Sequence, residues 1–189
     1  MSDPSQGWEA VADRFAALRS DVGADVVRRW AAELLAGGSV VDIGCGTGRP
    51  IAVALAGAGL AASGIDPSPT LLAAFRHALP GAPAACETAE ASGHFGRRFD
   101  GAVAIALLFL LPPATQRAVI GQVAAALRPG GHFLFSAPAI ACRWTDTLTG
   151  RESQSLGEAG YRDLLDEAGL RLSDGYDDSG GNHYFAAVG

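Results

Sequence analysis

The sequence has no lysine: all 14 of its basic residues are arginine. Any mechanism that needs a Schiff-base or phosphate-binding lysine is thereby excluded. Cysteine is scarce as well. Cys45, Cys86 and Cys142 lie far apart, with no CxxC pair and no zinc-type spacing, so neither a disulfide framework nor a zinc site is encoded. Their odd number suits a reducing compartment. No acidic triad for a divalent metal stands out, and no metal is expected. Long apolar runs are also missing. The longest, Ala102–Leu111, is about half of what a membrane span needs and ends at Pro112-Pro113. The opening MSDPSQGWEA is polar and acidic, unlike a secretory signal. A cytoplasmic protein without membrane contact is expected. Basic clusters are confined to Arg28-Arg29 and Arg97-Arg98, which read as solvated helix ends or loops. With a net charge of −6, nucleic acid is not an expected partner.

What is present is enough for a real core. The chain has 189 residues, 49% hydrophobic and 18% charged, which fits one folded domain and excludes a disordered chain. There is no internal repeat and no low-complexity linker. Short apolar runs alternate with helical patterns, the mark of a parallel sheet covered by helices. Trp8, Val11, Ala12, Phe15 and Leu18 fall on one helical face, and a second helix is expected over Ala24–Leu35 after the break at Ser20–Gly23. Strands are expected at Ser39–Ile43, Ala61–Ile65, Pro83–Cys86, Phe99–Ile105 and His132–Ala137. Helices are expected over Gly48–Ala58, Ser68–Ala78, Ala114–Leu127 and Gly157–Ala168. Pro138–Ser155 reads as a loop of about 18 residues, a length usually reserved for function. Leu170–Tyr176 and His183–Val188, joined by the turn-rich Asp177–Asn182, form a terminal hairpin. A single domain over 1–189 is expected, with a helical lid over 1–37 and a core over 38–189.

The chemistry concentrates in VVDIGCGTG, residues 40–48. An apolar strand runs into a glycine-rich turn that opens a helix, so a ligand can lie against bare main chain. Such a turn alone fits a dinucleotide, a nucleotide phosphate or S-adenosylmethionine. Three features discriminate. Asp42 stands two residues before the first glycine of GxGxG, where it would repel a pyrophosphate and attract an ammonium group. Gly64-Ile65-Asp66 ends the next strand roughly 20 residues on, where an acid accepts from both ribose hydroxyls. Leu127-Arg128-Pro129-Gly130-Gly131 precedes the fifth main strand.

With GIDPSP, RRFDGAVA and LRPGGHFLFSAP following in order, the sequence resembles the class I, seven-stranded S-adenosylmethionine-dependent methyltransferases over about Val40–Ala137. The resemblance implies a doubly wound, Rossmann-like α/β fold with strand order 3-2-1-4-5-7-6 and an antiparallel last strand. It also implies S-adenosylmethionine as cofactor. Gly44, Cys45, Gly46 and Gly48 would line its methionine end and Asp42 would support its amino group. Asp66 would hold the ribose, with Pro67 and Ser68 near the adenine. Thr88, Ala89 and Glu90 match the segment that reads the adenine amino group, although Thr88 stands where the family often has an acid. Ala104 and Ile105 would pass beneath the sulfonium.

The acceptor side is less legible. Asn182, His183 and Tyr184 begin the last strand at the ligand edge, and His183 is the best general-base candidate because imidazole titrates near neutral pH. A structural histidine is the competing reading. Arg143 and Trp144 in the long loop, and Tyr161, are candidate pocket walls. The polar clamp that amide and adenine methylases carry after the fourth strand is replaced here by Ala106–Pro113. A small-molecule acceptor, methylated at oxygen or nitrogen by a monomer or homodimer, is expected. The rivals are a non-catalytic or non-methylating binder of the same cofactor and a nicotinamide-dependent oxidoreductase.

Overall fold

Ser39–Ile43 carries apolar side chains at successive positions, and such a strand must be covered on both faces. In the computed structural model, which describes residues 3–189, it forms β1, an interior strand of a seven-stranded sheet. Met1 and Ser2, the first residues of the expected lid, lie outside the described residues. β2 (Ala61–Ile65) pairs parallel to β1 on one side and β4 (Phe99–Ala104) on the other. β3 (Ala84–Ala85) extends the sheet beyond β2, and β5 (Leu127–Ser136) extends it beyond β4. The terminal strands β8 (Arg171–Asp177) and β9 (His183–Val188) close the edge, β9 running antiparallel to both its neighbours. With a small inserted hairpin set aside, the order is the expected 3-2-1-4-5-7-6.

Alternation along each strand divides the core into two layers. Val40, Val103 and Leu134 face helices α2 (Ala24–Ala31), α3 (Ile51–Gly57) and α4 (Pro69–Ala78). Val41, Ala102, Phe133 and Phe135 face α5 (Pro113–Ala126) and α6 (Gly157–Glu167). The chain leaves β1 toward β2 but later returns to place β4 on β1's other side. That reversal opens a crevice beyond the carboxyl ends of β1 and β4, where open α/β sheets bind ligands. No helix among the described residues is long and apolar enough to cross a membrane.

Several elements differ from their expected extents. The first helix begins as a 3-10 turn at Glu9–Val11 before α1 (Ala12–Leu18), and α2 stops at Ala31 rather than Leu35. α3 starts at Ile51, so the glycine-rich segment is a turn in its own right and not a helix opening at Gly48. β5 reaches back to Leu127, which pairs with Phe99 before the register shifts at Gly101. The largest correction concerns Pro138–Ser155. It is no loop but mainly an antiparallel hairpin, β6 (Ala141–Thr145) and β7 (Glu152–Leu156). Its strands alternate exposed positions with half-buried or small polar ones such as Cys142, Trp144, Ser153 and Ser155, so no apolar period advertises them.

Candidate active site

The crevice holds an open cavity of about 190 Å³. Its floor is the turn after β1. Gly44 and Gly46 take positive φ values of 71° and 52°, a region that side chains disfavour. A Cβ on Gly44 would meet Leu107 at 3.0 Å, and one on Gly46 would meet Phe15 at 3.1 Å, so bare backbone faces the cavity. Asp42 lines the same floor. It is 2% exposed, and its Oδ2 has no hydrogen-bond partner. Burial pushes its pKa up to about 8, with Asp66 adding to the shift and Arg19 opposing it. Asp66 ends the crevice side of β2. Its Oδ2 accepts from the Gly46 N–H and its Oδ1 from the Ser68 N–H, each at 2.9 Å. Burial raises its pKa against those two donors.

The walls come from three segments. The N-terminal helices contribute Trp8, Phe15 and Arg19. Trp8 meets Phe15 edge-on at 5.5 Å, and the Arg19 guanidinium lies over the Phe15 ring at 5.2 Å while its Nε donates to the Arg49 carbonyl. Glu9 fastens this segment to the start of α4. Its carboxylate accepts from Ser68 Oγ, from Thr70 Oγ1 at 2.6 Å and from the Thr70 N–H at 3.3 Å. The segment after β4 contributes Ile105, Leu107, Phe109 and Leu110. The β6–β7 turn contributes Asp146. A smaller recess lined by Thr88, Ala89 and Glu90 adjoins the cavity, sharing Gly44, Pro67 and Leu107 with it.

A family model described as a methyltransferase domain matches residues 12–174. The chain belongs to this methyltransferase family. No curated protein sequence matches it significantly. Solved structures share its fold. The CcbJ methyltransferase from Streptomyces caelestis is 20% identical, with a TM-score of 0.74 over 99% of this chain and 98% of that one. The 1,6-didemethyltoxoflavin-N1-methyltransferase of Burkholderia thailandensis, solved with its substrate and S-adenosylhomocysteine, is also 20% identical. Its TM-score is 0.71 over 100% of this chain and 91% of that one. CalS10, an amino pentose methyltransferase from Micromonospora echinaspora solved with S-adenosylmethionine, is 18% identical. Its TM-score is 0.66 over 96% and 91%.

In this methyltransferase the residues expected at the cofactor separate into three groups, of which Thr88, Ala89 and Glu90 line the adjoining recess. Asp42, Gly44, Cys45, Gly46, Asp66, Pro67 and Ile105 line the cavity itself. Gly48, Ser68 and Ala104 support it from behind. A Cβ on Gly48 would strike Phe75 at 2.8 Å, Ser68 caps α4 by accepting from the Leu71 N–H, and Ala104 is fully buried. Burial also pushes the Cys45 thiol far up, so it acts as a small packed side chain and not as a nucleophile.

The expected acceptor residues fare differently. Tyr161 is wholly buried in the α6 layer against Phe135 and Phe185, and its hydroxyl donates to Gln116 Oε1 at 3.0 Å. It is a core residue, not a pocket wall. Arg143 is exposed and paired with Glu152 at 3.2 Å. Trp144 stays behind the wall and buttresses Phe109 at 5.2 Å between ring centres. Asn182 donates to Asp178, as does the buried Tyr184 hydroxyl at 2.7 Å. His183 pairs through Nδ1 with Asp177 at 2.8 Å and sets its ring edge-on to Phe185. None of these six lines the cavity. Reasoning from sequence missed Leu107, Phe109 and Leu110. Their signal was the apolar run Ala106–Leu111 itself, which follows a strand ending in the crevice.

Proposed function

We propose that this methyltransferase takes its methyl group from S-adenosylmethionine and passes it to an oxygen or nitrogen of a small molecule. The observation that carries the reading is Asp42: a buried carboxylate oxygen without a partner, at the floor of a cavity whose glycines leave the backbone bare. A buried, unpaired polar atom is costly, and a ligand ammonium group satisfies it. Relatives of the same fold crystallised with S-adenosylmethionine or its demethylated product support the choice of ligand.

Asp42 receives the ligand's amino group, and Arg19, whose charge acts on Asp42, takes the neighbouring carboxylate. Asp66 retains lone pairs for the ribose hydroxyls, since each oxygen accepts only one backbone N–H. Pro67 and the Thr88–Glu90 recess receive the base. Bound there, the cofactor supplies an electrophilic methyl group on a sulfonium. The chain's own contribution is alignment and dryness. Trp8, Phe15, Leu107, Phe109 and Leu110 surround the reacting space with apolar surface, which excludes water and fixes the partners' approach. This reading needs no role for His183, which is not among the residues lining the cavity. Three unpaired cysteines support a reducing, cytoplasmic setting.

Isothermal titration with S-adenosylhomocysteine tests the reading. Saturable binding to the wild-type chain is expected, with a loss of roughly ten- to a hundredfold in Asp66→Ala, the usual scale for a charge-assisted hydrogen-bond pair. Absence of binding, or an Asp66→Ala variant indistinguishable from wild type, overturns it.

A further inference from the structure

The ionisable groups around the cavity do not balance once the methyl donor is placed. Three carboxylates line it, Asp42, Asp66 and Asp146, against one guanidinium, Arg19. S-adenosylmethionine carries a sulfonium and an ammonium against one carboxylate, a net charge of +1. Among the residues of the main cavity, Glu90 of the adjoining recess set apart, Asp42, Asp66 and Arg19 supply the matching −1. Asp146 is left over.

Asp146 is also held as a ligand-facing group would be. It sits at the turn of the β6–β7 hairpin, on a different segment from every residue assigned to the donor. Its Oδ1 accepts from the Leu148 N–H at 3.1 Å, and from the Thr149 N–H and hydroxyl at 2.7 Å each. Those three donors fix the carboxylate's orientation. Its Oδ2 accepts nothing from the described residues, and Asp146 is one of the residues that line the cavity. The same cavity is lined by the aromatic side chains of Trp8, Phe15 and Phe109, with Phe109 backed by Trp144. Aromatic faces attract cations, and an uncompensated carboxylate in a partly desolvated cavity does so more strongly. A carboxylate-bearing acceptor would be repelled from the same place.

From this geometry we infer that the methyl acceptor is a small, largely apolar or aromatic molecule carrying a basic nitrogen, and that Asp146 Oδ2 is the specificity-determining group that receives that nitrogen. The inference rests on the methyl-donor reading above, because the charge balance assigns Asp42, Asp66 and Arg19 to the donor.

The test uses the intact chain saturated with sinefungin, a donor analogue that carries an ammonium group in place of the sulfonium and so the same net charge of +1, and probes of one shape: tyramine, 4-ethylphenol and 4-hydroxyphenylacetate. Binding is followed by ligand-observed NMR. Tyramine should bind roughly ten- to a hundredfold more tightly than the neutral and anionic probes, the scale of a hydrogen bond to a charged group. In Asp146→Asn that preference should vanish. Asparagine keeps a carbonyl oxygen for the turn's three donors and replaces the charged Oδ2 with an amide NH2 group, and because no donor contact is assigned to Asp146 the affinity for S-adenosylhomocysteine should not change. Tyramine binding no better than the other two, or failing to bind, overturns the inference, as does a preference that survives Asp146→Asn. If the variant does not fold, the three-probe comparison in the wild-type chain decides. Failure of the wild type to bind S-adenosylhomocysteine is a different result and strikes the donor reading first.

Discussion

A carboxylate closed in among backbone and apolar atoms keeps its proton longer than one in water, and Asp42 holds its proton up to about pH 8. In the free protein at neutral pH it is therefore mainly protonated. An ammonium group arriving at Oδ2 favours the ionised form, so binding must expel that proton. Two consequences can be measured by titration calorimetry in buffers of different ionisation enthalpy. Close to one proton should be released per S-adenosylhomocysteine bound at pH values below about 7. Affinity should rise with pH, by up to roughly tenfold per unit, and level off above about 8. In Asp42→Asn both effects should disappear along with most of the affinity. A pH-independent affinity in the wild type would mean that Asp42 does not meet the ligand's charge. Asp66 shows the contrasting arrangement. Burial raises its pKa too, but two backbone N–H groups oppose the shift, so the turn is built partly around its carboxylate.

At the scale of elements, the N-terminal segment is tied to the core by few groups. Glu9 is the main tether, joining it to the N-terminus of α4, where a negative charge is favoured by the exposed N–H groups and the helix dipole. Arg19 adds one bond to the Arg49 carbonyl. Removing the tether in Glu9→Ala should raise hydrogen exchange across Ala12–Leu18 and speed release of S-adenosylhomocysteine severalfold, leaving exchange in β1 and β4 unchanged. Equal protection in α1 of both proteins would show that aromatic packing alone holds the segment. The elements also explain what the sequence made legible. β1, β2, β4, β5 and β9 were readable because buried strands leave apolar runs bounded by turn residues, while the largely exposed β8 was legible through the turn-rich Asp177–Asn182 that joins it to β9. Asp42, Gly44, Gly46 and Asp66 were readable because a bare turn flanked by acids at two strand ends leaves a fixed spacing. The hairpin was not, because its inner face is made of serine, cysteine and one tryptophan. The acceptor residues were placed from their position in the chain, and position is not orientation. His183 and Phe185 point into the α5–α6 layer while Tyr184 points to the other. Tyr161, Leu164 and Leu165 show helical core spacing, which outweighed any role at the rim.

Across the whole molecule, carboxylates act in opposite directions at the two ends of β1. At its start, Asp100 of the neighbouring β4 accepts from the Ser39 N–H at 2.7 Å and the Ser39 hydroxyl at 2.9 Å, and pairs with Arg128. Those donors bring its pKa down to about 2. A depressed folded-state value means that its stabilising effect is present above its unfolded value and is lost as pH falls toward 2. At the other end, the raised value of Asp42 has the reverse consequence. Between about pH 4 and 8 the folded chain holds a proton that the unfolded chain has released, so stability declines as pH rises through that window. The ligand end of the strand therefore carries a cost that only a bound cation removes, and Asp42→Asn should remove it permanently. Urea unfolding of wild type and Asp42→Asn from pH 4 to 9 isolates this effect, because every other titrating group is common to both. The stability difference should widen in favour of the variant as pH rises, by at most about 1.4 kcal/mol per unit, and stop widening above about 8. Saturating S-adenosylhomocysteine should then stabilise the wild type far more than the variant, since a ligand stabilises only the state that binds it. Parallel stability curves across the window would mean that Asp42 is solvated in the free protein, and the cavity floor would have to be wetter than its burial implies.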